Sequence, residues 1–265
     1  MRFVTVSLAA AVALSPAAVL AAGKSAAPSY TMTDTSYSQD FNGLASTGSS
    51  NTALPAGFQI VEFGTASRAD GEYEAGTGSS NAGNTYSFGN SADRALGSLT
   101  SGSNSPVYFG GIFTNGLGAA IDSLSFAYTG EQWRSGTASA DRLNFQFSID
   151  ASQLDNGTWT DFDLLDFVAT NNSGAGAING NIFSSAVAGT IGGLSIANGA
   201  SFGFRWVDQD VSGSDHGMAV DNLSITASLA PVGGAVPEPS TWAMMILGFG
   251  MAGAGLRTRR KLAFA

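Results

Sequence analysis

The sequence predicts an all-β protein: an antiparallel two-sheet sandwich, jelly-roll-like, followed by a single hydrophobic helix at the C-terminus. The first observation is a period of two, as in LNFQFSI at residues 143–149, where apolar and polar side chains alternate. The second is that loops rich in Gly, Ser, Asn and Thr, such as NNSGAGAINGN from Asn171, separate runs that are too short for long helices. An up-and-down barrel or a short β-helix is the alternative architecture.

The N-terminus has the features of a secretory signal peptide, which we assign to residues 1–22. Arg2 supplies a positive charge, an apolar stretch covers residues 3–14, and small residues place cleavage just before Ala22 or Gly23. An uncleaved anchor is the alternative, but the apolar stretch is shorter than the ~20 residues that a membrane-spanning helix needs. The sequence therefore predicts export.

Residues 28–229 are expected to form the sandwich domain. The predicted strands cover residues 57–63, 72–74, 85–88, 94–99, 106–109, 124–128, 143–149, 159–164, 193–197, 202–206 and 223–227. The chain shows no fixed internal period, which disfavours a repeat architecture. Residues 230–236, APVGGAV, are predicted to be a flexible linker.

The composition argues against a nucleic-acid partner and excludes disulfide bonds. Acidic residues outnumber basic ones 20 to 11, and the net charge is −9. A nucleic-acid backbone would be repelled, so no nucleic-acid partner is predicted. The chain has no cysteine, so no disulfide can form and the domain must be held by a packed core.

Catalytic residue types are scarce, and the sequence predicts that the protein is not an enzyme. The single histidine, His216, stands in a predicted loop, where an exposed side chain is expected, and no G-x-S-x-G motif precedes a helix. Glycoside hydrolysis can proceed with two carboxylates alone. The glutamates available before the tail are Glu62, Glu72, Glu74 and Glu131. A glycan-active hydrolase or lyase is therefore the less favoured alternative.

The segment DQDVSGSDHGMAVDN, starting at Asp208, resembles the first half of a calcium-binding loop because oxygen ligands alternate before a glycine. Ala219 stands where an EF-hand places its bidentate glutamate, so an EF-hand is excluded. The candidate ligands of a looser structural Ca²⁺ site are Asp208, Asp210, Ser212, Asp215 and Asp221. The alternative is a solvated hairpin loop whose Asp and Ser side chains bond their own backbone, and no other cofactor is predicted.

An aromatic ring beside polar side chains can stack on a sugar while the polar groups bond its hydroxyls. Glu131, Trp133 and Arg134 have this arrangement at the end of a predicted strand, and Trp159 in GTWTDF is a second candidate. These four residues form the predicted carbohydrate-binding set. The alternative is that both rings pack in the core or at its rim.

Residues 237–261 combine a Pro-Glu-Pro tripeptide, a short apolar run and a basic cluster. The run at residues 242–256 contains four glycines and is shorter than the ~20 residues of a full membrane span. The basic cluster after it would hold the end of the chain in the cytoplasm. An ordinary membrane anchor is the alternative. The motif residues are Pro237, Glu238, Pro239, Trp242, Ala243, Arg257, Arg259 and Arg260.

In this order these residues resemble the PEP-CTERM sorting signal, in its PEPxxWA form, of Gram-negative bacteria. The resemblance implies export and a transient hold in the inner membrane by a short transmembrane helix. It also implies transfer to an exosortase, a membrane transpeptidase that cuts near Pro-Glu-Pro. The expected destination is the cell surface or an extracellular exopolysaccharide and biofilm matrix.

Phrases within the domain, among them DRALGSL from Asp93 and RLNFQFSID from Arg142, resemble uncharacterised jelly-roll domains of exported bacterial proteins. Such domains are sometimes appended to nucleases or other hydrolases, but the resemblance supplies no catalytic residues. The sequence thus predicts a non-catalytic, surface-sorted structural or adhesive protein. A carbohydrate-binding module with extracellular polysaccharide as its partner is the first alternative, and a glycan-active enzyme is the second.

Overall fold

The computed structural model describes residues 21–25, 28–231 and 239–262. The chain divides into two compact units, Met1–Leu229 and Ala230–Ala265. Most of the predicted signal peptide, residues 1–20, and most of the predicted linker, residues 232–236, lie outside the described residues. The first described strand begins at Ala21, just before the predicted cleavage position.

The described part of the first unit consists of strands and one short 3₁₀ helix, Asp163–Leu165. The strands are β1 (Ala21–Lys24), β2 (Tyr30–Met32), β3 (Ser36–Gln39), β4 (Phe58–Gly64), β5 (Tyr73–Gly76), β6 (Asn84–Phe88), β7 (Ala95–Leu99), β8 (Asn104–Asn115), β9 (Ile121–Ser135), β10 (Arg142–Ser148), β11 (Thr160–Asp161), β12 (Phe167–Val168), β13 (Gly176–Ala177), β14 (Ser184–Ile191), β15 (Ser201–Asp208) and β16 (Gly217–Leu229).

These strands form two eight-stranded sheets, which confirms the predicted all-β two-sheet sandwich. Sheet A has the order β1-β4-β8-β15-β10-β11, with β2 also paired to β8 and β12 to β10. Sheet B has the order β13-β9-β16-β7-β6-β5, with β14 also paired to β9 and β3 to β16. Among the described pairings, β2 with β8 and β5 with β6 are parallel and the others are antiparallel.

The core lies between the two sheets and is rich in aromatic rings. Phe204 and Trp206 of β15 meet Phe126 and Tyr128 of β9, with ring centroids 5.3 Å and 5.2 Å apart. All four side chains are buried. They occupy alternate positions on their strands, so the period of two correctly indicates which face of each strand is buried.

The sequence pattern fails at several places: the short strands β1, β2, β3, β12 and β13 were not predicted, and three longer segments also differ. Residues 159–164, predicted as a strand, form only the two-residue β11 and then the 3₁₀ helix, and Leu164 is exposed. Residues 193–197 contribute an isolated bridge between Ile196 and Ile121 rather than a strand. Strand β14 was not predicted, because SSAVAGTI consists mostly of small residues that show no clear alternation.

In the described part of the second unit, Pro239–Leu262 form one helix, α1, as predicted. Its apolar side chains between Trp242 and Met251 are exposed. Within the described part of the chain, no helix combines the length and the apolar character that a membrane crossing requires. The described residues therefore do not bear out the short transmembrane helix that the sequence predicted.

Candidate functional site

A polar pocket of about 290 Å³ lies where the turn after β7, the end of β9 and the loop before β16 meet. Its lining includes Thr100, Ser101, Arg134, Asp210 and Asp215. The structure therefore brings together Arg134, predicted to contact a sugar, with two of the predicted Ca²⁺ ligands. Neither group of predicted site residues assembles as a whole.

Asp208 ends β15 behind this pocket and is fully buried. Its carboxyl group accepts hydrogen bonds from Ser98 Oγ at 2.6 Å and from Thr100 Oγ1 at 3.5 Å. Burial, and then the nearby charge of Asp141, raise the pKa of Asp208 well above its ordinary value. Burial thus disfavours the charged form of Asp208, and its side chain connects β15 to β7.

Asp215 lines the pocket beside Asp210. Its Oδ1 accepts the Val211 N–H at 3.0 Å, which closes the loop on itself. Burial is the main cause that raises the pKa of Asp215 to about 7, and contact with the Asp210 carboxyl adds to it. A loop that bonds its own backbone is the alternative that the sequence favoured for this segment.

Two carboxyl groups in one pocket raise the question of glycoside hydrolysis. Asp210 and Asp215 both line this pocket, and the Asp210 carboxyl contributes to the raised pKa of Asp215. Glycosidases hold their two carboxyl groups at least ~5 Å apart, so that a sugar or a water fits between them. The hydrogen bond from the Val211 N–H gives the Asp215 carboxyl a structural role in the loop instead.

Asp141 is a buried carboxylate that the sequence analysis missed. Its Oδ2 accepts the His216 N–H at 2.8 Å, while Oδ1 has no hydrogen-bond partner among the described residues. Burial raises the pKa of Asp141. No local signal marks this residue, because it stands in a loop before β10 and meets His216 only through the fold.

His216 is buried rather than exposed, which corrects the sequence prediction. Its Nδ1 accepts the Gly136 N–H at 2.9 Å and lies 2.8 Å from Gln132 Nε2. Its Nε2 lies 2.9 Å from the Ala138 carbonyl oxygen. Both ring nitrogens are therefore occupied by structural hydrogen bonds, and His216 fixes the loop around Gly136 instead of serving a nucleophile.

Asp221, on β16, is separate from the other predicted Ca²⁺ ligands that line the pocket. Its carboxyl oxygens accept the Asn222 N–H at 2.7 Å and Asn222 Nδ2 at 2.8 Å. Burial, and then the charge of Glu131, raise the pKa of Asp221 to about 7. Among the described residues, no group of three His, Cys, Asp or Glu side chains is arranged to hold a metal ion. A structural Ca²⁺ remains a prediction.

Trp133 is buried, with 2% of its surface exposed. Its ring is parallel to that of Phe88, with centroids 6.3 Å apart, and its Nε1 donates to Glu131 Oε2 at 2.8 Å. Burial raises the pKa of Glu131. A ring enclosed in this way presents no face to a sugar, so its position matches the alternative of core packing.

Arg134 Nη1 donates to the carbonyl oxygens of Gly78 and Ser79, at 3.1 Å and 3.3 Å. The guanidinium group therefore holds the loop after β5 while it lines the pocket. Trp133 and Arg134 are neighbours in sequence, but Trp133 is buried whereas Arg134 lines the pocket.

Trp159 is half-buried and packs near sheet A, away from Trp133 of sheet B. The Arg205 guanidinium lies between two rings, with Cζ 4.2 Å from the Trp159 ring centroid and 4.0 Å from that of Tyr108. Trp159 Nε1 donates to the Asn156 carbonyl oxygen at 2.7 Å. Burial lowers the pKa of Arg205 to about 10. The sequence analysis missed Arg205 and Tyr108, which lie on strands distant in sequence.

The other glutamates considered for hydrolysis have structural partners or stand apart. Glu62 is fully buried and accepts hydrogen bonds from the Asp70, Gly71 and Thr85 main-chain N–H groups and from Thr85 Oγ1. Glu74 pairs with Arg68. Glu72 is half-buried on the segment that leads into β5.

The sorting-motif residues fall at the start and the end of α1. Pro239 is its first residue, Trp242 and Ala243 lie in its first turns, and Arg257, Arg259 and Arg260 lie in its last turns. Trp242 is exposed. Pro237 and Glu238 lie outside the described residues.

Comparison with known proteins identifies the tail. Residues 235–261 match the family described as the PEP-CTERM protein-sorting motif, as the sequence analysis predicted. No curated protein matches the chain in sequence.

Three solved structures are similar to the first unit at low sequence identity. The K3 cleaved adhesin domain of Lys-gingipain from Porphyromonas gingivalis is 16% identical, with a TM-score of 0.39 over 65% of this chain and 93% of that chain. The CBM22-1 xylan-binding domain of Paenibacillus barcinonensis Xyn10C is 11% identical, with a TM-score of 0.33 over 77% and 99% of the two chains. TmCBM61 in complex with beta-1,4-galactotriose is 7% identical, with a TM-score of 0.29 over 54% and 75%.

Proposed function

We propose that this chain is an exported, non-catalytic β-sandwich protein that its C-terminal segment delivers to the cell envelope or to an extracellular polysaccharide matrix. The observation that carries the proposal is the match of residues 235–261 to the PEP-CTERM sorting motif. The tail holds the protein transiently at the inner membrane, where an exosortase-type protease cuts near Pro-Glu-Pro. The released sandwich then serves as a structural or adhesive component.

The position of the motif relative to α1 supports cleavage before the helix. Pro239 begins α1, and proline is tolerated in the first turn of a helix but not in its interior. A proline disfavours the helical conformation in the residue before it, and an extended backbone is the form in which a protease cleft takes its substrate. Glu238, between the two prolines in sequence, gives the motif a negative charge.

Mass spectrometry of the protein recovered from its native host tests the sorting proposal. We expect the mature chain to have lost the residues beyond the Pro-Glu-Pro motif. The double variant Pro237→Ala with Glu238→Ala should retain the tail and stay with the membrane fraction, whereas Pro231→Ala, a proline outside the motif, should be processed normally. A mature wild-type chain that still carries residues 242–261 contradicts the proposal.

The absence of catalysis is supported by the arrangement of the polar side chains. Both nitrogens of His216 are bonded, Asp215 accepts the Val211 N–H, and Glu62 accepts four hydrogen bonds. These groups connect loops and strands. They stabilise a scaffold for contact with other matrix components.

A second candidate function, carbohydrate binding, is favoured by the surroundings of Trp159. The ring is fixed by Arg205 and by its own Nε1 hydrogen bond, and it remains partly exposed. On the neighbouring strands Gln146 Nε2 donates to Asp161 Oδ1 at 2.8 Å, in an exposed position. A fixed ring beside an amide and a carboxylate is the arrangement that a sugar ring and its hydroxyls require.

Affinity electrophoresis in gels that contain the host's exopolysaccharide tests this second function. Trp159→Ala and Asp161→Ala should both abolish retardation of the chain, with the fold checked by circular dichroism. Ile149→Ala, an exposed apolar change nearby in sequence, should leave retardation unchanged. Retardation that survives both of the first two variants excludes this site.

A further inference from the structure

Strand β14, Ser184–Ile191, is a long strand at an open edge of sheet B. It pairs with β9 over eight residue pairs, without a bulge, and with no other described strand. The Phe183 carbonyl accepts the Gln132 N–H at 2.9 Å. Position 183 therefore hydrogen-bonds to β9, and along β14 every second residue after it does the same. Positions 185, 187 and 189 therefore direct their main-chain groups toward β9, while positions 184, 186, 188 and 190 direct theirs away from the sheet.

These outward main-chain groups have no hydrogen-bond partner among the described residues. An open edge of this kind is a template for another strand, and soluble proteins usually block it with a charge, a proline, a bulge or a very short strand. β14 has none of these devices. By contrast, β11 and β5, which end the two sheet orders, have two and four residues.

We propose that β14 is a self-association surface, on which β14 of a second copy of this chain adds as an antiparallel strand. The first argument for a second copy is charge. Each chain carries a net charge of −9, so two copies repel one another except where a charge-free surface allows close approach. Residues 171–204, which include β14, contain no charged residue.

The second argument is that β14 is complementary to itself. In an antiparallel pair about a two-fold axis at Val187, position 184 faces position 190 and position 186 faces position 188. All four outward-directed positions then exchange main-chain hydrogen bonds with their counterparts. The side chains at these positions are Ser, Ala, Ala and Thr, which are small and do not obstruct a partner strand.

Exposed apolar side chains flank this edge. Ile182, two residues before β14, is 73% exposed, and Leu164, which lies against Gly189 of β14, is 66% exposed. A second copy on β14 would cover part of this apolar surface, and the gain in burial would add to the hydrogen bonds of the ladder. The resulting dimer joins two B sheets into one continuous sheet.

Disulfide cross-linking tests the proposal in the full chain, because the natural sequence has no cysteine to interfere. Single-cysteine variants are made at positions 184, 186, 187, 188 and 190, and Thr226→Cys, exposed on β16 of the same sheet, is the matched control. Under mild oxidation we expect several-fold more covalent dimer than in the control for the 187 variant, which faces its own counterpart, and for an equimolar mixture of the 186 and 188 variants, which face each other. The 184 and 190 variants, each tested alone, should give no more dimer than the control. Equal yields at all positions contradict the proposal, as does dimer confined to the control.

A second measurement keeps the test independent of cysteine chemistry. Ala188→Pro removes an outward N–H and leaves the ladder to β9 intact, while Ala188→Lys adds a charge to the edge. Both should shift the full chain from dimer toward monomer in sedimentation velocity, and Thr226→Lys should not. If all three variants sediment like the wild type, or if β14 pairs only with a different protein, the surface is not a site of self-association. All variants keep the C-terminal tail, so association through the tail affects them equally.

Discussion

At the scale of single residues, burial decides what a polar or aromatic side chain does. Trp133 and Trp159 are equally plausible sugar-stacking residues in the sequence, yet Trp133 is enclosed against Phe88 and Trp159 stays partly exposed above Arg205. The same holds for His216, whose loop looks solvated in the sequence but folds inward to bond Gly136 and Ala138. The residue type shows which interactions a side chain can make, and burial decides which of them it makes in the folded protein.

Replacing Trp133 should reveal its structural role. Trp133→Ala removes a buried ring and leaves Glu131 without its donor, so we expect a loss of about 3–5 kcal/mol in the free energy of unfolding. Urea denaturation followed by circular dichroism measures it. Trp242→Ala, at an exposed position on α1, should change the stability of the sandwich by less than about 0.5 kcal/mol. A small effect at Trp133 would mean that the ring is not packed as described.

At the scale of elements, period two was reliable where a strand has one buried and one exposed face. β10 fits this condition closely, because it contributes alternate aromatic rings to the core. β14 does not fit it, because its small side chains show no clear alternation of apolar and polar residues. β11 is shorter than predicted, because Leu164 is exposed in the 3₁₀ helix instead of continuing the strand. Edge elements are therefore the ones that local patterns predict least well.

The close approach of β7 to β16 offers a test at this scale. A Cβ at Gly97 would lie 2.0 Å from the Met218 carbonyl oxygen and 2.5 Å from Ala219 Cα, and backbone cannot move aside as a side chain can. Gly97→Ala should therefore lower the free energy of unfolding by about 1–3 kcal/mol. Gly43→Ala, with no atom within 4 Å of the new Cβ, is the control and should be nearly neutral. If Gly97→Ala and Gly43→Ala unfold at the same urea concentration, the close approach of β7 to β16 is ruled out.

At the scale of the whole molecule, an acidic chain without disulfides places several carboxyl groups where burial raises their pKa. Asp208, Asp215 and Asp141 lie together behind and beside the pocket, and Asp221 and Glu131 lie together on sheet B. The folded state binds protons to these groups more tightly than the unfolded state does. Protonation therefore stabilises the domain.

The stability of the domain should therefore fall as the pH rises. The pKa of Asp215 rises from 3.8 to about 7 on folding, so its contribution to stability is complete below the unfolded value and is lost as pH rises through about 7. Differential scanning calorimetry should give a higher Tm at about pH 5 than at about pH 8. In Asp215→Asn this difference should shrink, whereas Asp163→Asn, an exposed change, should leave it intact. A Tm that rises steadily over this range would contradict the buried-carboxyl arrangement.

Local patterns were sufficient for the sandwich, the C-terminal helix and the sorting motif, because alternation and a short ordered motif are properties of neighbouring residues. The pocket, the enclosure of Trp133 and the Tyr108–Arg205–Trp159 stack could not be obtained in this way. Each depends on strands far apart in the chain, such as β8 with β15 and β9 with β16, and on which side of each sheet is covered. Contacts between distant segments are fixed by the register and packing of the sheets, and no short stretch of sequence contains that information.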